Sequence, residues 1–193
     1  MRENKMSDFK DKFYKKVSDK NGIIIGKYIN GRRKVQVKCG NGHVWKAKPF
    51  DVSRGKWCPV CNKSKGETNI ENVLKKWNVK YICEYRDPEM YKLHKRKCRY
   101  DFYFTMWGNQ YVIEFDGLQH FEQSEWFGDS KAKFGRRRGT DKFKTKYAIS
   151  HGIKVIRISY KEEDKIEEHM LLAVASTIPV YVSNPDMYAW IFK

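Results

Sequence analysis

The segment YVIEFDGLQH, residues 111–120, sets two acidic residues in an apolar run and ends on a histidine. In a β-strand, alternation would turn Glu114 and Asp116 to one face and Ile113 and Phe115 to the other. Carboxylates on a strand that enters a core are costly unless a cation or hydrogen bonds compensate them. The segment therefore predicts a strand with a functional face.

A second strand-like segment, CRYDFYFTM at residues 98–106, precedes it. Gly108 and Asn109 are predicted to form a two-residue hairpin turn between the two strands. This turn would place Asp101 opposite Asp116, with their Cβ atoms about 5 Å apart. Three carboxylates would then share one face: Asp101, Glu114 and Asp116.

Carboxylates this close repel one another unless a proton or a cation lies between them. Hard oxygen ligands at such separations suit Mg2+, which completes its octahedron with waters and phosphate oxygens. The alternative is a polar face turned to solvent, which is less expected for acids alone in a chain with 40 Lys and Arg residues. We therefore predict that Asp101, Glu114 and Asp116 bind a catalytic Mg2+.

Two domains are predicted, with a boundary in the polar segment NKSKG. Residues 1–63 form the smaller domain. Residues 64–193 show apolar spacings typical of an α-β-β-β-α-β-α order, hence an α/β fold. The first helix covers ETNIENVLKKWN at residues 67–78, and the second lies near residues 140–151.

Positive charge is concentrated at the N-terminal end of the chain. Residues 1–65 hold 18 Lys and Arg against 5 Asp and Glu, a net +13 out of +17 for the whole chain. Such a field favours a polyanion, because each neutralised phosphate releases condensed counterions. Arg32, Arg33 and Lys34 are predicted to contact DNA. A merely soluble basic surface, or attraction to anionic lipid, is the alternative.

A second basic run, SKAKFGRRRGTDK at residues 130–142, is predicted to be a flexible loop beside the carboxylates. Arg136, Arg137 and Arg138 would clamp phosphates and would not read bases, because a run of arginines supplies charge without a fixed fork geometry. An ordinary solvated loop is the alternative.

No apolar run reaches the about 20 residues that span a bilayer, and the charged N-terminus lacks the apolar segment of a signal peptide. These features predict no membrane association and a cytoplasmic location.

Four potential zinc ligands occur as two close pairs, Cys39 with His43 and Cys58 with Cys61. Each pair fits a tight turn, and the pairs are separated by fourteen residues, a spacing that suits tetrahedral Zn2+. Because the protein would fill all four positions, the predicted Zn2+ is structural. The alternative is four unrelated residues in a loop. The segment at residues 26–61 resembles zinc-ribbon or treble-clef modules, which carry Cys, Gly-His-x-Trp and Cys-Pro-x-Cys.

Five further motifs follow one another in order: GE at 66–67, DFYF at 101–104, IEFDGLQHF at 113–121, DKFK at 141–144 and HGIKVIRISY at 151–160. With the α-β-β-β-α-β order they resemble the PD-(D/E)XK nuclease superfamily. The closer resemblance is to its very-short-patch-repair-like branch, which includes phage and giant-virus homing endonucleases of the EDxHD group. The resemblance covers roughly residues 64–160. It implies a restriction-endonuclease-like αβββαβ core that cleaves DNA phosphodiesters with Mg2+.

The chain departs from the superfamily at Asp116, which stands where the third-strand motif has a lysine. The candidates for that lysine's role are His120, Lys142 and Lys144. His120 could act as a base toward water or donate to a leaving oxygen, or it could be a packed histidine. Lys144 shares a helix face with Asp141, which could hold it toward the phosphate or form only a surface ion pair.

Glu67 has two interpretations. The sequence SKGE fits a capping box with Ser64 as the N-cap residue, a purely structural role. Glu67 also shares a helical stripe with Ile70 and Leu74, so its carboxylate could lean toward the sheet. The resemblance favours a place for Glu67 in the active site.

The sequence thus predicts an Mg2+-dependent endonuclease for double-stranded DNA, with a basic zinc module before the nuclease domain. A site-specific enzyme, with a phage or viral homing role as one option, is the main expectation. A mismatch- or junction-processing repair nuclease and a non-catalytic zinc DNA-binding protein are the alternatives. Monomer and homodimer both stay open.

Overall fold

The computed structural model describes residues 2–94, 98–124, 128 and 130–193. Its chain divides into two compact units, Met1–Lys63 and Ser64–Lys193, called here the first and second units. The division lies where the sequence predicts a domain boundary. Within the described residues, no helix is long and apolar enough to cross a membrane.

The first unit is a small mixed structure with one sheet. Its elements are α1 (Arg2–Ser18), β1 (Ile23–Ile24), β2 (Val35–Lys38), β3 (Val44–Ala47) and α2 (Pro49–Ser53). The three strands pair antiparallel in the order β1-β2-β3. Phe13 and Val17 of α1 pack on Val37 of β2, and all three side chains are at most 2 % exposed. A core this small stabilises a chain of about 60 residues only marginally.

The second unit is a mixed α/β domain. Its elements are α3 (Lys65–Lys76), β4 (Tyr81–Tyr85), α4 (Pro88–His94), β5 (Tyr100–Met106), β6 (Asn109–Asp116), α5 (Lys131–Ser150), β7 (Ile153–Ser159), α6 (Ile166–Ala175), β8 (Val180–Val182) and α7 (Pro185–Tyr188). The five strands form one sheet in the order β4-β5-β6-β7-β8. Strands β4 to β6 pair antiparallel, whereas β7 and β8 run parallel to their neighbours.

Helices bury both faces of this sheet. On one face Phe102 and Ile113 pack with Ile70 of α3 and Met170 of α6. On the other face Val112 packs with residues of α5. Since Glu114 and Asp116 follow Val112 at intervals of two, they fall on the α5 face, and the prediction that they share a face is correct.

The hairpin between β5 and β6 differs from the predicted one. The turn residues are Trp107 and Gly108, both with positive φ (47° and 74°), and Met106 pairs with Asn109. Positive φ at both central residues is the geometry of a type I′ turn, in which glycine suits the second position. Continued along the strands, this register sets Asp101 opposite Glu114 and not opposite Asp116.

The basic run at residues 130–142 is helical, so the predicted loop is wrong. Helix α5 begins directly after Ser130, whose side chain accepts the backbone N–H of Lys133 and caps the helix. Gly135 and Gly139 each cost the helix only about 1 kcal/mol, which one cap and the packing of α5 on the sheet offset.

Helix α3 approaches the sheet very closely at its first turn. A Cβ atom added to Gly66 would lie 2.2 Å from the ring of Phe115 in β6. Only glycine therefore lets the start of α3 rest on that ring. Glu67, the next residue, is brought to the edge of the sheet by this contact.

Candidate functional site

A cleft of about 560 Å3 opens in the second unit, at the ends of the strands that carry the acidic residues. Its charged lining consists of Glu67, Arg99, Asp101, Glu114, His120 and Lys144. Five of these six were predicted as site residues; Arg99 was not.

Asp101 lies at the centre of the acidic side of the cleft. Its Oδ2 atom accepts the backbone N–H of Phe115 at 2.9 Å, which ties β5 to β6 at this level. Burial, with a smaller contribution from the Glu67 carboxylate, raises the pKa of Asp101 to about 6, although the Phe115 N–H bond and Lys144 oppose the shift. Asp101 is therefore harder to ionise in the folded protein than a free aspartate.

Glu67 satisfies both of its interpretations. Its Oε2 atom accepts the backbone N–H of Ser64 at 2.6 Å, and the Ser64 hydroxyl accepts the N–H of Glu67, so the capping box is present. Glu67 also lies in a group with Glu84 and Asp101 in which one carboxylate oxygen from each residue is within 4.8 Å of the others. The cap fixes the side chain, and the fixed side chain lines the cleft.

Glu84 of β4 is a candidate ligand that the sequence analysis missed. Its φ is +55°, unusual for a non-glycine residue in a strand. Side-chain alternation breaks there, because Cys83 packs with the α3 face while Tyr85 packs with the α5 face. Arg99 binds the Glu84 carboxylate at 2.6 Å. No sequence pattern marks such a residue, since its proximity to Asp101 depends on the pairing of β4 with β5.

Glu114 and Lys144 form a buried ion pair on the α5 side of the cleft. Burial raises the pKa of Glu114, although the Lys144 ammonium lowers it. Burial would lower the pKa of Lys144, but Glu114 and Asp141 raise it by more, so the amine stays protonated. Lys144 is therefore a fixed cation in the cleft, and the surface ion pair with Asp141 considered from the sequence is absent from the described contacts.

Asp116 does not line the cleft, and its predicted place in a cluster with Asp101 is wrong. Its two oxygens accept hydrogen bonds from the Nε and Nη2 atoms of Arg157 at 2.9 and 2.7 Å. The Tyr188 hydroxyl donates a third hydrogen bond to Oδ2 of Asp116 at 2.8 Å. Arg157 is fully buried. The hairpin register, which was unknown from the sequence, sets Glu114 and not Asp116 level with Asp101.

His120 is held by two carboxylates behind the cleft. Its Nδ1 atom lies 2.8 Å from Oδ2 of Asp141 and 3.3 Å from Oδ1 of Asp116. Burial lowers the pKa of His120, but the hydrogen bond to Asp141 and the charge of Asp116 raise it by more. Burial likewise opposes ionisation of Asp141, yet the His120 hydrogen bond and Arg157 lower its pKa to about 2. Nε2 is the ring nitrogen that remains for a substrate.

Lys142, the third candidate for the missing lysine, lies elsewhere. Its Nζ atom donates to the backbone carbonyl of Lys193 at 3.1 Å. Lys142 is not among the described residues that line the cleft. The structure therefore leaves Lys144 and His120 as the two candidates.

Two of the three arginines predicted to clamp phosphate are used within the protein. Arg137 donates to the carbonyl of Gln119, and Arg138 donates to the carbonyl of Phe121 at 2.9 Å. Arg138 is also stacked on Phe134 and Trp190. These contacts fasten α5 to the turn that carries His120. Arg136 is exposed and stays a candidate for phosphate contact.

The first unit brings together the four predicted metal ligands, Cys39, His43, Cys58 and Cys61. The Nδ1 atom of His43 lies 3.4 Å from Sγ of Cys39 and 3.3 Å from Sγ of Cys61, and these two sulfurs are 3.6 Å apart. Ligands at tetrahedral zinc distances would be about 3.6–3.8 Å from one another. The cluster can therefore hold a metal ion such as zinc with little movement.

The predicted DNA contacts of the first unit are surface residues. Arg32, Arg33 and Lys34 are all exposed, and they lead into β2. The Asn30 side chain accepts the backbone N–H groups of Arg32 and Arg33 at 2.9 Å each, which holds the start of this loop in one conformation.

Comparison with family models, with curated proteins and with solved structures found no match to this chain.

Proposed function

We propose that the second unit is a divalent-metal-dependent endonuclease that hydrolyses DNA phosphodiester bonds, with Mg2+ as the cation. The proposal is carried by one observation: three carboxylates, Glu67, Glu84 and Asp101, converge within 4.8 Å at a cleft. The same cleft holds a buried lysine and a histidine with a carboxylate partner. Acids, a fixed cation and a proton donor are the parts that phosphodiester hydrolysis needs.

The donor set fits Mg2+. Carboxylate oxygens are its preferred protein ligands, and it is usually held by a few of them with waters and phosphate oxygens in the remaining positions. Asp101, Glu67 and Glu84 would hold the ion, with Glu114 next to them. Burial is the main cause of the raised pKa of Asp101, with a smaller contribution from Glu67, and a bound divalent cation would favour the ionised carboxylate. When bound, Mg2+ would polarise the phosphate and activate water.

Lys144 takes the role of the missing motif lysine. Its ammonium is held by Glu114 and lies 5.3 Å from the centre of the Tyr100 ring, so it has little freedom. A fixed cation in a partly dry cleft stabilises the negative charge that develops on phosphate oxygens more than a mobile surface lysine does. The sequence position differs from the superfamily pattern, since Lys144 comes from α5 and not from β6.

His120 acts as the proton donor to the leaving oxygen. Asp141 accepts from Nδ1, which fixes the ring and leaves Nε2 for the substrate. Burial opposes protonation of His120, but the hydrogen bond to Asp141 and the charge of Asp116 raise its pKa by more, which favours the protonated form. A protonated imidazole can donate a proton but cannot accept one, which supports the donor role over the role of a base toward water.

In the first unit, Zn2+ would be held by Cys39, His43, Cys58 and Cys61. All four positions come from the protein, so the ion would be structural, and it would add stability that the small core lacks. The basic surface with Arg32, Arg33 and Lys34 would bind the DNA backbone, which explains why most of the net charge lies in this unit.

A supercoiled plasmid assay tests the proposed reaction. We expect nicked or linear product with Mg2+, none with a chelator, and a loss of at least about a thousand-fold in rate for Asp101→Asn. Asp186→Asn, an exposed acid in the first turn of α7, is the matched control and should cleave normally. Mapping the products on both strands of varied DNAs separates a site-specific enzyme from a mismatch or junction nuclease.

If the purified protein binds DNA but cleaves none of these substrates with any divalent cation, the catalytic proposal is wrong. A non-catalytic zinc DNA-binding protein would then be the better description. Cleavage that persists in Asp101→Asn would place the reaction at a different site.

A further inference from the structure

The first unit carries an aromatic groove with arginines at its edge. The groove has a volume of about 540 Å3 and is lined by Phe9, Tyr28, Phe50, Arg32 and Arg33, among others. The Phe50 side chain is 43 % exposed, which is a large exposure for a phenylalanine. Neither the metal cluster nor the small core requires an exposed ring at this position.

The rings of the groove are held in a defined arrangement. Phe9 and Phe50 stack with centroids 5.8 Å apart and planes inclined by 19°. The guanidinium of Arg54 lies 4.9 Å from the centre of the Phe50 ring. A Cβ atom on Gly31 would lie 2.8 Å from the Phe9 ring, so this glycine permits the ring to rest on the backbone.

The loop with the arginines is fixed to the same rings. Asn30 accepts the N–H groups of Arg32 and Arg33, and the N–H of Phe50 donates to the Gly31 carbonyl at 2.9 Å. Two cationic side chains therefore start from a backbone that is already ordered. A ligand that contacted both the rings and the arginines would therefore bind with little loss of conformational entropy in this loop.

The charge of the groove indicates what it binds. None of the described residues that line it is acidic. The first unit as a whole has 17 Lys and Arg against 5 Asp and Glu. Flat apolar rings beside guanidinium groups suit a polymer with planar bases and phosphates. Duplex DNA hides the faces of its bases, so stacking requires bases that are not paired.

We propose that this groove binds an unpaired segment of DNA, with a base packed against the exposed part of the Phe50 ring and neighbouring phosphates on Arg32 and Arg33. The choice of DNA rests on the proposed nuclease function. The inference adds a substrate class to it: DNA that contains single-stranded nucleotides, such as a gap, a flap or a branch.

Fluorescence anisotropy with the full-length protein tests this binding. The probes are a labelled oligo-dT strand and a labelled duplex of equal length, at one fixed salt concentration. Phe50→Ala should weaken binding to the single strand about ten-fold or more and change binding to the duplex by less than about two-fold. Phe50→Tyr, which keeps the ring, should restore single-strand binding.

Val44→Ala is the matched control, because Val44 is half exposed in the same unit and does not line the groove. It should leave both affinities unchanged. Equal losses for single strand and duplex in Phe50→Ala, or no loss for either, would overturn the proposal. Single-strand binding that depends on Phe50 in a protein without cleavage activity would refute the nuclease function and keep this inference.

Discussion

Arg157 and Asp116 form a buried ion pair in which the guanidinium donates from Nε and Nη2 to the two carboxylate oxygens, at 2.9 and 2.7 Å. Both side chains are at most 1 % exposed. The Nη2 atom also lies 3.5 Å from Asp141, the carboxylate that holds His120. Asp116 therefore belongs to the framework beneath the histidine, while Asp101 belongs to the cleft.

Asp116→Asn should strongly destabilise the second unit. The substitution leaves the buried Arg157 guanidinium with only the longer contact to Asp141 at 3.5 Å as an ion pair among the described residues. Breaking one side of a buried pair costs about 3–5 kcal/mol. We expect a large fall in the free energy of unfolding, measured by urea denaturation. An unfolding free energy within about 1 kcal/mol of the wild type would show that the ion pair of Asp116 with Arg157 does not stabilise the second unit.

Asp101→Asn should have the opposite profile. Burial, with the nearby Glu67, raises the pKa of Asp101 to about 6, so the ionised carboxyl is unfavourable in the folded protein. The neutral amide should leave the melting temperature unchanged or higher, keep DNA binding and abolish cleavage. Thermal melts measure the first outcome, fluorescence anisotropy the second and the plasmid assay the third. A lower melting temperature would mean that the hydrogen bond to Phe115 matters more than the repulsion.

Glu84→Gln should raise the Mg2+ concentration needed for half-maximal cleavage. The substitution keeps the size of the side chain but removes one of three converging charges, and changes near a metal commonly cost about ten-fold or more in affinity. A Mg2+ titration of cleavage rate measures it. Glu89→Gln is the control, because the Glu89 side chain is exposed and its carboxylate lies 3.8 Å from Nε2 of His151, outside the acidic group. Identical titrations for both variants would exclude Glu84 as a ligand.

The pH dependence of stability should reveal the His120 pair. Asp141 raises the pKa of His120 in the folded protein against the effect of burial. A raised folded pKa stabilises the protein fully below the unfolded pKa, and this contribution is lost as pH rises through the folded pKa. The pKa of Asp141, about 2, keeps that carboxylate ionised throughout.

Wild type and His120→Gln should therefore differ more in unfolding free energy at about pH 5.5 than at about pH 9. Urea denaturation at the two pH values measures the difference. A gap that is constant or grows with pH would contradict the assignment. His120→Gln should also slow cleavage without altering its Mg2+ requirement.

Cys58→Ser should unfold the first unit before it affects the second. The purified protein should carry one tightly bound Zn2+ per chain, and the loss of one thiolate removes folding free energy from a unit with a small core. Hydrogen exchange read separately for residues 2–63 and 64–193 measures the effect. Cys83→Ser, outside the cluster, is the control thiol. A protein that contains no zinc would disprove the prediction.

The ligands of the first unit could be predicted from the sequence because their grouping is local. Cys39 and His43 lie on one turn, and Cys58 and Cys61 lie on another, so short-range geometry brings each pair together. Strand alternation likewise sufficed to put Glu114 and Asp116 on one face. Side-chain alternation is a local property of the strand. A register error of two residues, as in the predicted hairpin, leaves every side chain on the same face.

The roles of these two acids depend on tertiary structure. The hairpin turn at Trp107 and Gly108 sets a register in which Asp101 lies level with Glu114. Asp116 instead forms a buried ion pair with Arg157 of β7. Glu84 joins the acidic group only because β4 pairs with β5 and its backbone breaks the alternation. Such contacts join residues far apart in the chain, and which of them form is decided by the packing of the whole sheet, which no local pattern encodes.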